Sequence, residues 1–449
     1  MDTIRQTILG IFILLSQASP SWGGEQIWKA GRARVDITPQ QSTWMAGYAL
    51  RESPSKGVLT NLWAKALALE DAQGNRAVLV TADLLGFPKD LSDEIRDYAG
   101  EKYGLDRSRI ILSASHTHSG PVLGDALYFI YPMTASDRKV VYRYTDHLKK
   151  LLVGLIDAAM KDLQPARIST GNGLARFAVN RRNNNAAALT STTELKGPHD
   201  HAVPVLKVEG PDGTVKVILF GYACHPTTLS GMEFCGDYPG FAQIELEKMY
   251  PGATAMFFQG AGADQNPLPR NKVSLAIQYG RQLAASVGQV LSEEMILQES
   301  SLKTRYEEIE LPLDAPLPRE ELLKLAEGSD YQARWAKGML GEGEKAVPAL
   351  SSYPYPIAYW TIGTQKLFIL GGEVVSGYSV RLKQHYGDDV FVMGYANDVM
   401  TYIPTTVIWD EGRYEGATAP RVYALPSRWT RDVEEIIFNA IGKIAGKQH

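Results

Sequence analysis

The sequence predicts an α/β protein, with mixed β-sheets flanked by helices and a functional site at the carboxyl ends of its strands. Three observations lead there. Apolar runs of strand length end at His116, His225, Gln259, Glu373 and Tyr395, and each terminates in polar or glycine-rich residues. Segments with apolar residues at helical spacing fall among them, at 137–163, 273–297 and 430–445, and such a mixture of periods belongs to helices packed on sheets. Strand ends are also where α/β sheets collect their ligands.

In chain order, Arg5 leads into the apolar run 8–15 and then into small and polar residues as far as Gly24. This is the order of a secretory signal over 1–23, with cleavage expected after Ala18 or Gly23. The run is too short to span a bilayer, and no later stretch is long and apolar enough. One domain over 24–449, exported to a periplasm or secreted, with at most peripheral membrane contact, is therefore expected.

Residues 31–39 read as a short strand ending in a turn, and 44–48, with Gly47, as a loop. The runs 62–70 and 77–82 surround Asp71-Ala72-Gln73-Gly74-Asn75, a hairpin signal, and the second run ends in Asp83. Ser92 is expected to cap the next helix, with Asp93 and Glu94 in its first turn, where the helix dipole favours anions.

The run 110–121 ends in His116-Thr117-His118 and is closed at once by Gly120 and Pro121. Strand side chains two apart share a face, so the two imidazoles can approach one metal together. Catalytic zinc takes three protein ligands, so others must come from elsewhere. After the helix at 137–163, in which His147 reads as structural, Phe177-Ala178-Val179 leads into Asn180-Arg181-Arg182-Asn183-Asn184-Asn185, a polar loop without period. The strand 215–223 ends in Cys224-His225-Pro226, a third histidine at a strand terminus, and Pro239 marks the start of a helix reaching Tyr250. Cys224 and Cys235 bracket the His225 loop, and their spacing fits either a disulfide or two buried thiols.

The strand 254–259 enters a glycine-rich bend, Gly260 to Pro267, whose N–H groups can cradle an anion. It lacks the Lys-Ser/Thr ending of a phosphate-binding loop, so no nucleotide site is expected. Residues 307–354 are more charged and less regular, helical over 318–340, and are expected to form a lid or insertion. The strand 367–370 ends in Gly371-Gly372-Glu373 before a helix at 376–386, and the strand 390–394 enters Tyr395-Ala396-Asn397-Asp398. With 45% hydrophobic and 21% charged residues the chain is of globular class, which excludes disordered and fibrous proteins. A net charge of -4 without a basic stripe argues against nucleic acid as a partner.

The order SASHTHSGP, ACHP, AGADQNP, GGE, YIPT and RYEGA, between Val35 and Tyr423, resembles the catalytic domain of the neutral/alkaline (non-lysosomal) ceramidase family. These are zinc amidases that cleave the N-acyl bond of ceramide. The resemblance implies that Zn2+ is held by His116, His225, Glu373 and Tyr402. It also implies that His118, Arg181 and Tyr414 touch substrate or handle charge, with Asp264 as a spare base and Asn180, Gly262 and Asn266 as substrate contacts. An exported zinc amidohydrolase acting on a small-molecule or lipid N-acyl substrate is the expectation. No oligomeric state is implied.

Two departures shape that expectation. Where the family has Ser in a Gly-Asp-x-Ser-Pro motif, this chain has Asn266; an amide is not a nucleophile, so water should attack. The family's C-terminal β-sandwich is also not expected in a chain ending at His449. The alternatives are a zinc esterase or deacetylase acting on a glycan or other polar acyl compound, which the Asn183 to Asn185 run would suit, and a non-catalytic zinc-dependent binding protein.

Overall fold

The expected hairpin seeds the larger sheet. Trp63–Glu70 and Arg76–Ala82 pair antiparallel, and the turn between them is closed by Asp71, whose carboxylate accepts from the Gln73 and Asn75 N–H groups at 3.0 and 2.8 Å. The computed structural model describes residues 27–190 and 192–446, and the signal segment 1–23 lies outside the described residues. Trp28–Asp36 adds antiparallel to Trp63–Glu70, and Ile110–Ala114 adds parallel to Arg76–Ala82. A second half follows the same plan. Gln164–Leu174, Ala202–Glu209 and Val215–Tyr222 pair antiparallel in turn, and Thr254–Gln259 lies parallel to the last of them.

The halves join through only three residue pairs, Trp28–Ala30 against Gln164–Ala166, with buried Trp28 donating from Nε1 to the Gln298 carbonyl at 3.1 Å. They close on a shared core that includes Leu67, Leu79, Ile111, Ile168, Leu219 and Met256. Helices Lys89–Tyr103 and Ala135–Lys161 cover the first half, and Asp237–Met249 and Val273–Ser292 cover the second. A smaller sheet, Leu302–Pro312, Ser352–Ile362, Gln365–Leu370 and Phe391–Met393 in that order, is covered by Ser376–Tyr386 and Val433–Ala445. The protein is therefore mixed α/β, with mixed sheets flanked by helices, as the sequence predicts.

Residues 393–397 hold the two sheets together at the place where the site forms. Gly394 N–H donates to Gln259 O at 2.9 Å, and Asn397 N–H donates to Leu112 O at 2.7 Å while its side chain accepts from Leu112 N–H at 3.0 Å. The segment thus reaches both edge strands of the larger sheet. Tyr395 and Asn397 adopt left-handed backbone (φ 54° and 64°) to do so.

Two expectations change, and for the cysteines one of the two open readings holds. The helix expected to start at Ser92 starts at Lys89, because Pro88, extended at φ -64°, sets its first turn; Ser92 is buried within it and caps nothing. Residues 307–354 are no free-standing lid. Their first part lies in the edge strand Leu302–Pro312, whose charged look comes from exposed Lys303 and Arg305 on one face and exposed Glu308 and Glu310 on the other. The rest includes a helical pair, Arg319–Ala326 and Tyr331–Leu340, packed through Trp335 and Ala336 on Phe129. Cys224 and Cys235 are buried free thiols. Among the described residues no helix is long and apolar enough to cross a membrane.

Two outcomes are expected. Gly262 packs against the turn that carries His225: a Cβ there would lie 2.3 Å from the Ala223 carbonyl carbon and 2.6 Å from Cys224 N. Gly262→Ala should lower urea-unfolding stability by about 1–3 kcal/mol, and an unchanged midpoint would show that the two loops have slack. Burial pushes the Asp83 carboxyl up to about 6, against the opposing pull of the Trp63 N–H and Lys65. Asp83 therefore binds its proton more tightly folded than unfolded (about 3.9), so its contribution is present below pH ~4 and lost as pH rises through ~6. In Asp83→Asn the fall in stability between pH 4 and 8 should shrink by up to roughly 2 kcal/mol; the same urea series at both pH values decides it.

Candidate active site

The strand that leads to the histidines ends at Ala114, and His116 takes a left-handed backbone (φ 62°) in the loop beyond it. Strand alternation is therefore not what aligns His116 with His118. A sharp turn folds the two rings together, with Nε2 atoms 3.3 Å apart. His116 Nδ1 lies 2.6 Å from the Leu85 carbonyl, which fixes Nδ1 as the protonated nitrogen and leaves the Nε2 lone pair free. His225 arrives from the end of Val215–Tyr222, its N–H bonded to Gln265 O at 2.9 Å, and its Nε2 stands 3.1 Å from that of His116.

Glu373 and Tyr402 come side by side because Glu373–Val374 and Tyr402–Ile403 form a two-residue parallel pair in that register. Glu373 Oε2 lies 3.2 Å from His116 Nε2 and 3.4 Å from His225 Nε2, while Oε1 accepts from the Tyr423 hydroxyl. Tyr402 Oη is 3.5 Å from His225 Nε2 and accepts from Arg181 Nη2 at 3.0 Å. Arg181 is held in turn by Glu415 (Nε, 2.9 Å), by Asn266 Oδ1 (Nη1, 3.3 Å) and through its own N–H by Asp264 O (2.8 Å).

These distances test the group for zinc. A tetrahedral site with arms of about 2.0–2.1 Å has edges of about 3.3–3.4 Å; the His116, His225 and Glu373 donors lie 3.1 to 3.4 Å from one another, and Tyr402 Oη lies 3.5 Å from His225 Nε2. Glu373 Oε2 is buried and has no hydrogen-bond donor. A buried carboxylate oxygen in that state is costly unless a cation meets it. Burial, followed by the neighbouring cationic groups, pushes His118 and His225 well below the usual imidazole range, so both are neutral, as metal ligation requires. Burial and then Glu373 push the Tyr402 phenol up, and Arg181 opposes them. The residues fit a zinc ion. His118 Nε2 stands as close to His116 as the other donors do, and the three histidines form a possible metal-holding group by themselves.

A cavity of about 580 Å³ opens onto this cluster. Of the residues expected to act, His116, His118, Arg181, His225, Asn266, Glu373, Tyr402 and Tyr414 line it. Tyr414, 38% exposed, sets its ring edge-on to Tyr402 at 5.3 Å, on a short π-helical turn, Tyr414–Thr418. Asn180, Gly262 and Asp264 stand behind the wall. Asn180 donates to Pro198 O and Asp264, and its Oδ1 accepts from the Arg182 N–H. Burial raises the Asp264 carboxyl, and it accepts from the Ser376 N–H and hydroxyl at 2.7 and 2.9 Å, so it braces the loop and has no route to substrate as a base.

Sequence reasoning missed four contributors. Tyr48 lays its ring 4.8 Å from His118, and Gly47 (φ 109°) is where a Cβ would sit 2.5 Å from that imidazole. The glycine in Met45-Ala46-Gly47-Tyr48 was the available signal for this close approach. Glu415 was visible only as part of RYEGA, and Tyr423 carried no local signal at all.

The family model described as neutral/alkaline non-lysosomal ceramidase, N-terminal, matches residues 28–265, which include His116, His118, Arg181 and His225. The chain is 28% identical over 243 residues to neutral ceramidase A of Dictyostelium discoideum, covering 51% of this chain and 33% of that protein. To the neutral ceramidase of Pseudomonas aeruginosa it is 26% identical over 269 residues, 57% of this chain and 39% of that one. The matches thus take in between a third and two fifths of those relatives' lengths. The crystal structure of the Pseudomonas aeruginosa enzyme superimposes with a TM-score of 0.72 at 19% identity, over 95% of this chain and 76% of that chain, which extends the shared fold to the Glu373 and Tyr402 segments. With the family model matched over more than half its length, this chain belongs to the neutral/alkaline non-lysosomal ceramidase family.

Proposed function

We infer that the protein is a zinc-dependent amidohydrolase that cleaves N-acyl bonds with water, in one catalytic domain over 24–449. The observation that carries this reading is the buried Glu373 oxygen without a donor, facing two imidazole nitrogens at 3.2 and 3.4 Å. His116, His225, Glu373 and Tyr402 would hold the zinc. Zinc held there would supply Lewis acidity, making a water acidic enough to ionise near neutral pH and polarising the scissile carbonyl. His118, neutral and with Nε2 turned to the cluster, can take a proton and pass it to the leaving amine. Tyr414, exposed in part but with its phenol pushed up by burial and then by Glu373, offers a hydroxyl donor to the oxyanion, and Arg181 keeps a positive charge against Tyr402. Leu127, Ile130 and Val422 give the cavity an apolar side suited to an acyl chain. The pattern of residues 1–23 supports export.

His225→Ala should lose its zinc on metal analysis and at least about a hundredfold in hydrolysis of an N-acyl amine. Retention of both metal and activity would remove His225 from the ligand set. Tyr423→Phe, which frees Glu373 Oε1, should weaken metal affinity by about 10–100-fold, read by chelator competition. Export is checked by sequencing the amino terminus of protein recovered outside the cytoplasm, with Ser19 or Gly24 expected as the first residue; an intact Met1 in a cytoplasmic fraction counts against it.

A further inference from the structure

Four arginines reach the cavity wall, Arg181, Arg182, Arg270 and Arg413, against two glutamates, Glu373 and Glu415. The glutamates are already engaged. Glu373 turns to the histidines and Tyr423, and Glu415 is shared by Arg181 at 2.9 Å and Arg182 at 2.6 Å. Arg182 also pairs with Glu411 at 2.6 Å. Arg270 and Arg413 remain. Both are exposed, and neither meets a carboxylate among the described residues; Arg413 donates from Nη1 to the Arg182 carbonyl at 3.3 Å.

Two guanidinium groups facing one cavity repel each other, and a cleft with low-dielectric walls concentrates their field. That is unfavourable in an empty cavity and favourable with an anionic guest. A guanidinium presents paired donors that match the two oxygens of a carboxylate or a sulfonate. A neutral diol or sugar would leave both charges uncompensated. The backbone holds the pair near the reacting end of the cavity. Arg270 follows the loop of Asn266 and precedes left-handed Asn271 (φ 73°), whose N–H is bonded to Thr228 O at 2.7 Å; Arg413, itself left-handed (φ 59°), immediately precedes Tyr414.

We propose, on the amidase reading above, that the substrate is an N-acyl amine whose head group carries an anion, a carboxylate or a sulfonate met by Arg270 and Arg413, with the acyl chain along Leu127, Ile130 and Val422. Hydrolysis breaks the acyl C–N bond. The hydroxyl of water goes to the acyl carbon and gives a carboxylic acid; its other hydrogen goes to nitrogen and releases the amino acid or aminosulfonate. Nothing is oxidised or reduced.

The test compares kcat/KM for N-dodecanoylglycine, N-dodecanoyltaurine and neutral N-dodecanoylethanolamine, all in neutral detergent. The wild type should prefer at least one anionic substrate, and which of the two it prefers separates carboxylate from sulfonate. Arg270→Gln and Arg413→Gln should each lower the anionic-to-neutral ratio about tenfold, the size of one lost charge-assisted hydrogen bond, and Arg270→Lys should keep part of it. Calorimetric binding of N-dodecanoylglycine to chelator-treated protein should weaken in the same order, a readout that needs no turnover. A wild type that cleaves the ethanolamide as well as either anion, or a ratio unmoved in both glutamine variants, overturns the proposal. So does a loss seen only when substrate is presented on anionic vesicles, which would turn the arginines toward a membrane surface. If no substrate is cleaved, the amidase reading fails, and the binding series alone then decides the anion site.

Discussion

A carboxylate oxygen buried without a donor is the constraint on which this site depends. Removing an ionised carboxylate from water costs several kcal/mol, and the usual remedies are hydrogen bonds or an opposite charge. Glu373 gives one oxygen to Tyr423 and leaves the other, without a donor, against the Nε2 atoms of His116 and of His225, the latter kept neutral by burial. Neutral imidazoles do not compensate a negative charge, so the arrangement is complete only with a cation among the donors. Histidines in the loops beyond two separate strands, and a glutamate and a tyrosine brought together by a two-residue pairing, make sense as one unit on that condition.

The backbone bears the cost of that convergence. His116, Tyr395, Asn397 and Arg413 are all in the left-handed region, each next to or within the cluster, and Gly47 and Gly372 adopt positive φ in the segments beside them. Each such non-glycine residue costs about 1–3 kcal/mol and persists only where packing over-determines it. The packing here is the segment 393–397, bonded to both edge strands of the larger sheet, with Tyr395 also laid 4.4 Å from the His116 ring. The same few residues therefore join the sheets, buttress a histidine and carry the local strain.

Much of this was legible in the sequence because strands and their ends announce themselves. The hairpin, the long helix and the apolar runs ending at His116, His225 and Glu373 follow from period and turn chemistry, and those runs end at the site. What the sequence hid was long-range or local in a different way. The alternation rule brought His116 and His118 together for the wrong reason, since a left-handed turn, not a strand, aligns them. Ser92 has the chemistry of a cap, but Pro88 starts the helix one turn earlier and buries Ser92 within it. Asp264 and Asn180 sit among site residues in the chain, yet their polar atoms are spent on each other and on Ser376. Tyr423 acts across fifty residues on Glu373, and no local pattern encodes such a contact.

The hydroxyl and amide groups near the cluster bear on the choice between water and a side chain as nucleophile. Asn266 offers no nucleophilic atom, and its Oδ1 already accepts from Arg181 at 3.3 Å and from the Thr227 hydroxyl at 3.4 Å. Thr227 Oγ1 also points to the His225 carbonyl at 3.5 Å, so its hydrogen bonds are to acceptors of no basicity and no imidazole stands ready to take its proton. Activation of a hydroxyl needs an adjacent base, and the imidazole that lines the cavity beside the expected zinc ligands is His118, whose Nε2 faces the cluster rather than Thr227. On the proposed reading, water is then the nucleophile these residues would serve, with His118 as the neighbouring group that can exchange a proton with it.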